Sequence, residues 1–164
     1  MITTAHIALG LAALAVGLVV LLRQKGTRSH RMIGWTFVVC LFGVNATALA
    51  MHNFNGALGP FHVFVPISLA GLFYGLYQVL KRPSGDWPEG HYYGMCFSYV
   101  GLLAATTAEI IVRVPYFRAA GSAWRLILLT TLASIVVTGV GWAIIARVRA
   151  RVLGSIAGGP PADA

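Results

Sequence analysis

The side chain with chemical potential that recurs in this sequence is imidazole. His6, His30, His52, His62 and His91 stand at the edges of long apolar runs, and Glu109 lies near the end of another. An ionisable group inside a bilayer, or at its rim, is costly to maintain, so each of these marks a candidate site. Neutral imidazole is a ligand for zinc, copper and haem iron. Three histidines with a carboxylate are the ligand types of a zinc centre, and two facing histidines can hold a haem iron axially. Neither an HExxH nor a CxxCH spacing occurs, so any such centre must be assembled from separate elements.

Those elements are membrane helices. Of 164 residues, 58% are hydrophobic and 10% charged, against about 25% charged in a soluble domain. A span needs about 20 apolar residues, and runs over 5–22, 32–51, 61–80, 91–114 and 126–146 meet that length. The expected fold is all-α, an integral membrane bundle of five transmembrane helices. It forms one domain over 1–151, and a tail over 152–164, with Gly158, Gly159, Pro160 and Pro161, is expected to be disordered. Cys40 and Cys96 lie in apolar segments without a CxxC spacing and read as core fillers. The first apolar run has its basic cluster after it rather than before, which predicts a retained helix and not a signal peptide.

A net charge of +8 would point to nucleic acid in a soluble protein. Here the charges flank apolar runs, so the partner is the lipid bilayer and no nucleic acid is expected. Arg23, Lys25, Arg28, Arg31, Lys81, Arg82, Arg147, Arg149 and Arg151 fall on one side, and Arg113, Arg118 and Arg125 on the other. The positive-inside rule then predicts an N-terminus outside and a C-terminus in the cytoplasm, in a bacterial inner membrane.

With that topology His6, His52, His62 and Glu109 each lie about one membrane-helix length from the inner basic residues, at similar depth on the outer side. They could converge as a metal site. His30 and His91 open their helices on the inner side and form a second, cofactor-binding pair. Asn45 shares a face with His52, and His91, Met95, Ser98, Leu102 and Glu109 form one stripe. His6, Gly10, Ala13 and Gly17 make a face of small residues that admits a neighbouring helix, and Thr130, Ser134 and Thr138 make a weakly polar one. Plainer readings compete: His30 and His91 as interfacial or capping groups, His52 as a solvated loop residue, and Glu109 as the i,i+4 partner of Arg113.

The run Lys25, Gly26, Thr27, His30, Arg31, Gly34 resembles the Lys-Gly-Thr-x-x-His-Arg-x-x-Gly signature of a bacterial membrane family known as domain of unknown function 2306. His6 with Gly10 and Gly17, then His62, and then His91, Met95, Ser98 and Tyr99 are similar to its further recurring positions. The resemblance covers about 5–109 and implies a small multi-pass inner-membrane protein without implying an activity. A more distant likeness is to transmembrane b-type cytochromes, which would make His30 with His91, and two of His6, His52 and His62, haem ligands.

Three functions follow as expectations. The first is a histidine-lined metal or haem site at the outer face serving membrane redox chemistry, with haem b or a divalent metal such as zinc as cofactor and a redox partner or membrane complex. The second is a zinc-dependent intramembrane hydrolase in which Glu109 orients or deprotonates the metal-bound water. The third is a non-catalytic accessory or scaffold subunit.

Overall fold

The computed structural model describes residues 1–51, 62, 64–83, 85–119 and 122–157. It contains α1 (Ile2–Leu22), α2 (Arg28–Ala50), α3 (Phe64–Lys81), α4 (Trp87–Arg113), the short α5 (Pro115–Ala119) and α6 (Ala123–Ala157). Among the described residues there is no strand. All of these helices except α5 are long and apolar enough to cross a membrane, which agrees with the all-α, five-span expectation.

Several boundaries differ from the sequence reading. The second helix begins at Arg28 because Thr27 caps it: its side chain accepts from the His30 backbone N–H. The fourth begins at Trp87, because Pro88 sits in the first turn where no intrahelical N–H is needed. The sixth runs on to Ala157, so 152–157 continue the last helix. Residues 158–164 lie outside the described residues.

The turn between α1 and α2 uses three consecutive residues for three separate tasks. Lys25 Nζ donates to the Val20 and Leu21 carbonyls at 2.8 and 2.7 Å, closing the C-terminus of α1. Gly26 takes φ +80°, a conformation that favours glycine. Thr27 then caps α2. Burial of the Lys25 ammonium pushes its pKa down, partly offset by the Cys96 thiol nearby. The Lys-Gly-Thr signature thus has a local structural account.

The helix α4 is the hub, packing against α3, α1 and α6. Against α3 the contact is between backbones. A Cβ on Gly94 would stand 2.6 Å from the Gly75 Cα and 2.9 Å from the Gly71 oxygen. Lipid offers apolar side chains the same surroundings as a neighbouring helix does, so association relies on close packing and interhelical hydrogen bonds, which small residues permit. The pairing of α1 with its neighbours follows the same rule. Ala13 is fully buried, and a Cβ on Gly17 would run into the Tyr99 and Phe37 rings at 2.5 to 2.9 Å. Tyr99 adds a hydrogen bond from its hydroxyl to the Leu14 carbonyl at 3.1 Å.

On α6 the packed positions are Thr130, Ser134, Gly141 and Ile145, whereas Thr138 is exposed. Gly141 accommodates Val100, and the Tyr92 hydroxyl donates to the Ile145 carbonyl at 2.8 Å. Trp124, Leu128, Leu132, Ile135, Val136 and Ile144 remain exposed on α6, as a lipid-facing surface requires.

Gly94→Ala should lower stability by about 1 to 3 kcal/mol or more through overpacking against a backbone that cannot move aside. Gly139→Ala, where an added Cβ meets nothing within 4 Å, should be neutral or gain up to about 1 kcal/mol of helix propensity. Unfolding of the detergent-solubilised variants, followed by far-UV circular dichroism, measures both.

Candidate functional site

The N-terminal half of α1, the C-terminal half of α2, the start of α3 and the C-terminal half of α4 line an open-sided cavity of about 360 Å³. Its walls are mostly apolar, with Leu14, Leu41, Val65 and Leu102 among them, and its polar lining includes His6, Asn45, Ser68, Thr106 and Glu109. That volume and mixture are those of a small-molecule site. His62 also lines it, so three of the four outer residues singled out from the sequence share one cavity. His52 lies outside the described residues.

Hydrogen bonding determines the histidine tautomers. Thr47 Oγ1 donates its single hydrogen to the Gly43 and Val44 carbonyls at 2.7 and 2.9 Å, so towards His6 it can only accept. The His6 Nδ1–H therefore donates to it across 2.9 Å, and in the neutral ring the lone pair falls on Nε2. The His62 Nε2–H likewise donates to the Ala48 carbonyl at 3.1 Å. Deeper in the wall, Asn45 is 5% exposed, and its Nδ2 donates to the Leu41 carbonyl at 2.8 Å and to Ser68 Oγ at 3.2 Å. At the rim, Glu109 accepts from Arg113 Nε at 2.7 Å, as the i,i+4 spacing allows.

Among the described residues no three His, Cys, Asp or Glu side chains stand close enough together to hold one metal ion. His6, His62 and Glu109 share the cavity without forming such a group, and Glu109 is engaged by Arg113. The zinc ligand set read from the sequence therefore does not fit on these three residues alone.

At the opposite end stand His30 on α2 and His91 on α4. The His91 Nδ1–H donates to the Gly75 carbonyl at 2.9 Å, leaving the lone pair of the neutral ring on Nε2. The His30 Nδ1 is buried without a hydrogen-bond partner, as is Gln78 Oε1, in a residue 8% exposed. Buried polar atoms are nearly always paired, so such exceptions call for an explanation. The remaining stripe of α4 meets α3: Met95 lies against Gly75 and Ser98 against Gly71.

Sequence reasoning missed Ser68, Thr47, Thr106 and Gln78. Each is a polar residue within an otherwise apolar run, which is the available signal, but only the packing shows that Thr47 meets His6, that Ser68 and Thr106 line the cavity, and that Gln78 is buried against Gly90.

Five apolar spans, a histidine-bearing cavity near one end and a basic rim at the other describe a small multi-pass membrane protein. Residues 3–148 match the family model described as predicted membrane protein (DUF2306), and the chain belongs to that family. No curated protein and no solved structure matches it.

Thr47→Val removes the acceptor that orients His6. The ring ¹⁵N shifts of His6 should then lose the Nδ1–H pattern seen in the parent protein. An unchanged Nδ1–H signature would show that Thr47 does not set the tautomer.

Proposed function

We propose that this is a ligand-binding membrane protein whose outer-end cavity takes a small lipid-soluble molecule. The observation that carries the reading is the cavity itself: apolar walls with a few polar groups held in fixed orientations, reached by four helices and open to the two histidines. Pre-oriented hydrogen bonds of this kind give a site its selectivity, while the apolar walls supply most of the contact.

The test uses an alkyl diazirine that partitions into the bilayer. In the parent protein, photolabelling should concentrate on cavity peptides from α1, α2 and α4. Gly101 lines the cavity and an added Cβ there meets nothing within 4 Å, so Gly101→Leu directs a side chain into open space rather than against a neighbouring backbone. Labelling in that variant should fall several-fold while the helical signal is kept. Labelling spread evenly along lipid-facing surfaces in both proteins would overturn the reading.

A second reading rests on the inner pair. A ligating histidine typically donates its other ring N–H to a carbonyl, as His91 does to Gly75, and the unpartnered His30 nitrogen is the other half of the pattern. In this reading His30 and His91 hold a haem or metal that passes electrons across the membrane. Purified protein should then show Soret absorbance or stoichiometric metal by elemental analysis, lost in both His30→Ala and His91→Ala. A colourless, metal-free, folded preparation counts against it.

In the proposed orientation the N-terminus lies outside a bacterial inner membrane and the basic ends face the cytoplasm. The positions of Lys25, Arg28, Lys81 and Arg147 at one end of the bundle support it. A green fluorescent protein fused to the C-terminus should fluoresce, and an alkaline phosphatase fused there should be inactive; the reverse pair of results would invert the topology.

A further inference from the structure

The cavity's hydrogen-bonding inventory is one-sided. His6 commits its Nδ1–H to Thr47, so the neutral ring keeps a lone pair on Nε2. Asn45 directs Nδ2 at Leu41 and Ser68, and its remaining polar atom is the carbonyl oxygen. The Thr106 hydroxyl donates to the Leu102 carbonyl at 2.8 Å, which leaves that oxygen as an acceptor. Glu109 is a carboxylate with lone pairs beyond the one that Arg113 occupies. Within the cavity the opposing donor is the hydroxyl hydrogen of Ser68; at the rim Arg113 gives its Nε–H to Glu109, and its other N–H groups belong to a half-exposed side chain.

From this imbalance we infer that the ligand is a hydroxyl-bearing lipid-soluble molecule, a phenol or an alcohol, whose O–H donates to the acceptors of the wall. A ketone, ester or carboxylate of the same shape would set lone pairs against lone pairs. It would also leave the oxygen of buried Asn45 beneath it without a donor, the arrangement by which polar sites reject analogues. The inference rests on the cavity being the ligand site and adds the class of molecule that it prefers.

The discriminating pair is 4-butylphenol and 4-butylanisole, which differ in whether the ring oxygen carries a hydrogen. Each is used to protect the full-length protein, in lipid nanodiscs, against the alkyl diazirine. The phenol should protect cavity peptides at a concentration about tenfold lower than the anisole, the ratio that corresponds to one net hydrogen bond. His6→Phe should narrow that ratio. Thr106→Val, a milder change on another helix, should narrow it as well if His6→Phe fails to fold. Equal protection by the two compounds, with labelling still abolished by Gly101→Leu, overturns the donor preference and leaves the cavity as a binding site. Absence of specific cavity labelling overturns both.

Discussion

The backbone contact between α3 and α4 is the constraint on which the rest of the bundle depends. Gly94 lies against Gly75 and Gly71 so closely that no side chain could be inserted. Only because these two helices touch at their main chains can the His91 ring reach the Gly75 carbonyl and Ser98 lie over Gly71. The helix α4 then carries Tyr99 to α1 and Tyr92 to α6, each ending in a hydrogen bond to a backbone carbonyl of the neighbouring helix. In a bilayer, where apolar burial discriminates poorly between lipid and protein, such contacts specify which helix meets which.

The two ends of this framework differ in chemistry. At the end that carries His6 and Glu109 the helices separate enough to leave a cavity, and its polar groups are tied to the walls by local hydrogen bonds. At the opposite end His30 Nδ1 is buried, His91 is tied to the Gly75 carbonyl, and Lys25 caps α1. The Glu89–Arg149 ion pair at 2.6 Å joins the start of α4 to the end of α6 at this rim. Both partners are partly exposed, so the pair contributes modestly to stability and mainly restrains where α6 lies.

Much of this was legible in the order of residues. Apolar length and the placement of arginines and lysines predicted five spans, and of the α1 face made by His6, Gly10, Ala13 and Gly17, the last two pack closely while His6 and Gly10 line the cavity. The expected pairing of Glu109 with Arg113 also follows from i,i+4 geometry. Helix starts were harder to read, because Thr27 and Pro88 act through capping rather than through hydrophobicity. Thr138 was assigned to a packed face from its spacing with Thr130 and Ser134, and the structure leaves it exposed.

What the sequence determines by itself is local: where the chain is apolar enough to span and which side chains share a face. Those properties depend on neighbours within a few residues, so their signal is present in any short window. The meeting of His6 with Thr47 and of Asn45 with Ser68 was decided only by the tertiary structure. Each pair joins residues on different helices, and the rotation and crossing of those helices are set by glycine contacts distributed over the whole bundle.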